Sequence, residues 1–217
     1  MNAFAQDVML VSTLTIALVI GALRYRHFDA GTRIIFFLVV VDMLSESIGF
    51  YTAIRYHSNA ITYNISAVLD FFLLNMYFND VIDVFYKRRI GWYIAGVSVV
   101  LWILNLIFLQ PIDVFGTNFL FVEGFVIIAV SLFGFFRLLL HHDQLRLFRY
   151  HHFWFITMIL LYWSLTFLNF GFYSLITIKV IKRAWVMISI IWMANVLLYL
   201  GIAIVFLLYP KMQKGDE

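Results

Sequence analysis

The chain has 217 residues, 64% of them hydrophobic and 12% charged, with a formal net charge of +3. A soluble domain is about half apolar and about a quarter charged, so this composition excludes a water-exposed fold and points to one embedded in lipid. Cysteine is absent, which excludes disulfides, thiolate metal sites and cysteine nucleophiles.

Taken in chain order, the apolar runs predict seven membrane spans. The first covers residues 5–23 and stops at Arg24, Arg26 and His27. The stretch before it lacks the basic region and small-residue cleavage site of a removable signal, so a retained anchor helix is expected. Spans two and three cover residues 34–54 and 61–85, the latter closed by Lys87, Arg88 and Arg89. Span four covers residues 92–109, and Gln110, Pro111, Asp113 and Gly116 then form a turn. Spans five, six and seven are expected over residues 119–140, 153–173 and 185–209, with Pro210 ending the last. Each run has about the 20 residues needed to cross about 30 Å of hydrocarbon. The expectation is therefore an all-α, single-domain bundle over residues 1–217, multi-pass in an inner (plasma) membrane.

Lysine and arginine set the expected orientation. Eleven lie on the side of Arg24, Lys87, Arg137, Arg149 and Lys211, against four on the other, Arg55, Lys179, Lys182 and Arg183. That asymmetry predicts the N-terminus outside and the C-terminus in the cytoplasm. The same placement reads the basic excess as a lipid-facing signal rather than a nucleic-acid one.

Ionisable groups inside a membrane are costly and mark function by default. Asp42, Ser45, Glu46 and Gly49 share one face of span two, and Ser66, Asp70 and Tyr77 share a face of span three. Glu123 and Ser131 share a face of span five, Tyr162, Thr166, Asn169 and Tyr173 one of span six, and Trp185, Ser189 and Trp192, with Asn195 adjoining, one of span seven. Glu46 stands twelve residues from the inner end of its span, about 18 Å deep. Asp70 stands nine residues from the outer end of its own, about 14 Å. The polar set thus converges on the middle and outer bundle. A pocket open to the outside is expected there, built from Glu46, Asp70, Glu123, Ser45, Ser66, Tyr162, Thr166, Asn169, Ser189, Trp192 and Asn195. Asp42 reads equally as a pocket residue or as hydrogen-bonding glue between helices. Three acids at that depth without a base call for protons, a cation or a cationic ligand.

Other signals are weaker. No lysine lies mid-span, so no retinal Schiff base and no cofactor are expected, beyond a cation at the acids. His141, His142, His151 and His152 are read as interfacial residues of the basic face rather than a metal centre, and His57 stands apart. Asp80 and Asp83 are expected to form interfacial salt bridges with Lys87 and Arg88. No Gly-x-Ser-x-Gly elbow is present, and short loops leave no room for a soluble catalytic domain.

Leu44-Ser45-Glu46-Ser47-Ile48, then Tyr63-Asn64-Ile65 and Asp70-Phe71-Phe72-Leu73-Leu74, resemble the corresponding region of a group of small, uncharacterised bacterial seven-helix membrane proteins. Those carry Glu in the second helix, then Asn and an acid six residues later. That acid is often Glu, where this chain has the shorter Asp70. Such proteins are often encoded near sensor histidine kinases, so the resemblance implies a sensory or signalling role with a membrane or cytoplasmic partner. The first expectation is a receptor-like sensor with an outward acidic pocket. The alternatives are a lipid-processing enzyme using paired carboxylates and a small proton- or cation-coupled transporter.

Overall fold

The computed structural model describes residues 3–141, 147–179 and 181–213, with the side chains of 3, 4, 141, 172–179, 181–187 and 213 outside the description. The described residues are helical, without strands. Eight α-helices appear: α1 (Ala3–Arg24), α2 (Ala30–Tyr56), α3 (Ala60–Val81), α4 (Asp83–Arg88), α5 (Ile90–Phe108), α6 (Thr117–His141), α7 (His151–Lys179) and α8 (Ile181–Gln213). Seven of them, all but α4, are long and apolar enough to cross a membrane. Backbone groups in hydrocarbon must be satisfied within the segment, and the helix does this.

Around the bundle α1 packs on α2, α2 on α3, α3 on α6, α6 on α7, α7 on α8, and α8 back on α1. The ring is closed, and α5 lies outside it against α3 and α6. The surface of α5 accordingly shows Tyr93, Val97, Val100, Ile107 and Phe108. The crossing of α5 over α3 is tight at Gly91. A Cβ there would meet the carbonyl oxygen of Asn75 and the Cβ of Asn79, and the Gly91 N–H donates to Asn79 Oδ1 at 3.1 Å. Glycine is what lets the two backbones approach.

The two ends of the ring differ. At the end away from the N-terminus, Phe28, Tyr77, Phe155, Phe206 and Tyr209 are each no more than 2% exposed. Phe206 meets Phe28 and Phe155 at centroid distances of 4.8 and 5.8 Å. These rings pack against one another within the core there. The other end encloses a cavity.

Three details depart from the sequence reading. Span three stops at Val81, because extended backbone at Ile82 (ψ 112°) breaks the helix before α4. Asp83, now opening α4, pairs with Arg137 of α6 at 2.7 Å rather than with Lys87 or Arg88, and Asp80 Oδ2 stands beside Gly31 of α2. The break sets Asp83 on a separate helix, from which its carboxylate reaches α6. Pro210 lies inside α8 rather than ending it. A proline forfeits one backbone donor, and at the last turn the helix continues without it.

Candidate functional site

Helical spacing carries polar side chains of five helices into one cavity of about 550 Å³. Asp42, Ser45 and Glu46 reach it from α2, Tyr63, Ser66 and Asp70 from α3, and Glu123 from α6. Tyr162 and Trp163 of α7 and Trp192, Asn195 and Tyr199 of α8 complete the facing wall. The first turns of α1 add Gln6 and Asp7, and Asn59 and Phe115 border the cavity where it reaches the N-terminal end. Tyr63, Ser66 and Asp70, Trp192, Asn195 and Tyr199, and Asp42 with Ser45 and Glu46 recur at three or four residues, so one stripe of each of these helices faces inward.

Five acids, Asp7, Asp42, Glu46, Asp70 and Glu123, border this space, and among the described residues no lysine, arginine or histidine does. Tyr63 donates its hydroxyl to Glu46 Oε2 at 3.1 Å. Asp42 neighbours both Asp70 and Tyr199 in the cavity wall. Neighbouring carboxylates repel unless a proton or a cation lies between them. Glu123 is 1% exposed, and its Oε2, like Asp70 Oδ1 and Ser45 Oγ, has no protein partner among the described residues. Buried polar atoms of this kind are normally satisfied, by water or ligand if not by protein.

Local bonds hold the walls. Trp192 Nε1 donates to the Gln6 carbonyl at 2.7 Å, tying α8 to α1. Asn64 satisfies three backbone groups of the connection between α5 and α6. Its Nδ2 donates to the Ile112 and Val114 carbonyls, both at 2.8 Å, and its Oδ1 accepts from the Gly116 N–H at 2.8 Å. This clamp fixes Phe115 at the rim.

Of the residues expected at the pocket, Glu46, Asp70, Glu123, Ser45, Ser66, Tyr162, Trp192 and Asn195 line the cavity, whereas Thr166, Asn169 and Ser189 do not. Thr166 is buried and donates to the Tyr162 carbonyl, and Asn169 donates to the Leu165 carbonyl. Both spend their polarity on their own helix. Asp42, left open in the sequence, lies at the centre of the acid cluster. Asp7 and Gln6 carried no signal, because they precede the apolar core of the first span. The Tyr173 and Trp185 side chains lie outside the described residues.

A second cluster stands at the opposite end. His151 and His152, read from sequence as interfacial, are each 4% exposed. Their Nε2 atoms lie 2.8 and 3.0 Å from the same oxygen, Asp29 Oδ2. Asp29 caps α2 by accepting the Thr32 N–H at 2.7 Å. Burial pushes its carboxyl up, but the bonds from His151 and His152 outweigh that and hold it well below the usual carboxylate range. The side chains of His141 and His142 lie outside the described residues.

No protein-family model, curated protein or solved structure matches this chain.

Proposed function

We propose that the protein is a seven-helix membrane sensor, receptor-like in design, that takes a small organic cation into its acidic cavity. The N-terminal end of the bundle would face outward, on the strength of the eleven-to-four lysine and arginine bias. The basic inner loops would then meet a membrane or cytoplasmic signalling partner, such as a sensor kinase. The observation that carries the reading is the convergence of five acids with no base among the described lining residues. A charge of one sign in a low-dielectric cleft selects its opposite. The volume suits a small molecule better than a bare ion, and the rings of Tyr63, Tyr162, Trp163, Trp192 and Tyr199 offer cation–π faces.

The test is native mass spectrometry of mildly solubilised wild type beside Glu46→Gln and Asp70→Asn, after incubation with a panel of primary and quaternary amines. A defined amine adduct on the wild type, lost or weakened at least tenfold in both variants, is expected. A clean unliganded mass across the panel would remove the cation reading.

The proximity of Asp42 and Asp70 in one cavity favours a second reading, an intramembrane enzyme that uses the pair as general acid and base on a lipid. It predicts turnover of a bilayer lipid by reconstituted wild type and none by Asp42→Asn. Unchanged lipid composition after incubation with the wild type would sink it.

A further inference from the structure

We propose that Asp29, His151 and His152 form a binding site for one divalent transition-metal ion, zinc foremost, at the end of the bundle opposite the acidic cavity. The inference is independent of the cation reading and uses none of its residues.

The geometry is that of a donor set already gathered. One carboxylate oxygen and one ring nitrogen from each histidine all lie within 4.8 Å of one another. A tetrahedral ion with ligands at about 2.0–2.1 Å holds neighbouring donor atoms about 3.3 Å apart. The two oxygen–nitrogen separations of 2.8 and 3.0 Å need open by only a few tenths of an ångström to admit it. Consecutive helix residues point about 100° apart. His151 and His152 nevertheless direct both Nε2 atoms to one point, because they stand in the first turn of α7, with ring centroids 4.1 Å apart.

The surroundings support His152 and Asp29 beyond direct ligation, while His151 Nδ1 has no protein partner among the described residues. The Tyr77 hydroxyl lies 3.3 Å from His152 Nδ1, the nitrogen that faces away from Asp29. Thr32 N–H holds the other oxygen of Asp29, and the Asp29 backbone N–H donates to the Tyr209 hydroxyl at 2.9 Å. The imidazoles are 5% and 6% exposed against 37% for the Asp29 side chain. The cluster is thus dry on the histidine side and open to an arriving ion on the other. Asp80 adds a second carboxylate beside it. Its Oδ2 and His152 Cε1 lie 3.1 and 2.9 Å from where a Cβ on Gly31 would stand. Two imidazoles and a carboxylate suit Zn²⁺ or Cu²⁺ over Mg²⁺ or Ca²⁺. Three protein ligands leave a coordination position free.

The test uses full-length protein in detergent, purified without a histidine tag and stripped with chelator. Zn²⁺ is titrated by calorimetry and Co²⁺ by visible absorbance. The expected result is one saturable equivalent of Zn²⁺ per chain, a melting temperature higher by several degrees with Zn²⁺, and an intense cobalt band saturating at the same stoichiometry. Asp29→Asn and His151→Gln should each lose at least tenfold in affinity, while a His141→Gln/His142→Gln double variant should keep the site. Absence of a saturable equivalent in the wild type would overturn the proposal. So would full retention of zinc in folded His151→Gln, which leaves the cluster as a histidine–carboxylate hydrogen-bonded staple. Should the variants fail to fold, the wild-type cobalt spectrum alone decides: an intense band supports the site, and the pale spectrum of a hydrated ion rejects it.

Discussion

Asn64, buried against the connection between α5 and α6, and Glu123, buried in the cavity wall, should respond to mutation in opposite ways. Asn64 has its amide fully engaged with the backbone at Ile112, Val114 and Gly116. Asn64→Ala would strand two carbonyls and one N–H, and a buried unpaired group costs about 1–3 kcal/mol. We expect a fall in stability of about 2 kcal/mol or more, together with faster amide exchange at Gly116, read by hydrogen–deuterium exchange. Glu123 has an oxygen with no protein partner among the described residues, so Glu123→Gln removes an ionisable group without breaking a contact made by that oxygen. Its melting temperature should stay within a few degrees of wild type while amine binding weakens. A sharp loss of stability in Glu123→Gln would make that residue structural. The difference between the two residues could not be read from sequence, which shows that both are polar but not whether the polarity is spent. Thr166 and Asn169 make the same point, since their spacing matches the pocket face while their bonds return to their own helix.

At the scale of elements, glycines in α5 offer a matched pair. A Cβ on Gly91 would run into the backbone of α3, whereas one on Gly96 would meet nothing within 4 Å. Gly91→Ala should destabilise by about 1–3 kcal/mol through overpacking. Gly96→Ala should be neutral or stabilise by up to about 1 kcal/mol, from the entropy glycine loses in a helix. Unfolding of both variants in mixed micelles checks the contrast, and equal effects would argue against the α3–α5 crossing described above. Much at this scale was legible in advance. Seven apolar runs gave seven long helices, and the Asp42, Ser45, Glu46 spacing put three side chains on one cavity wall. What escaped were local backbone events: the extended residue at Ile82, and α8 running through Pro210. Neither alters hydropathy. The Asp29–His151–His152 cluster escaped for another reason, as its members lie 122 and 123 positions apart and meet only once the ring of helices closes.

For the whole molecule, orientation is the expectation with the most direct test. The chain has no cysteine, so wild type is its own unreactive background. Ser58→Cys lies between α2 and α3 at the N-terminal end, and Lys87→Cys lies in α4 at the other. In intact cells a membrane-impermeant maleimide should label the first and spare the second. The reverse pattern would turn the bundle over and bring the acidic cavity to the cytoplasm.

The plug formed by Phe28, Tyr77, Phe155, Phe206 and Tyr209 has a bearing on traffic as well as on stability. Were these rings to close the bundle below the cavity, it would be a cul-de-sac, and whatever goes in would come back out through the same mouth. In such a shape residence, rather than throughput, would be the quantity to measure. Proteoliposomes loaded with the best-binding amine on one side should therefore hold their gradient, the protein filling and emptying like a berth rather than passing cargo like a lock.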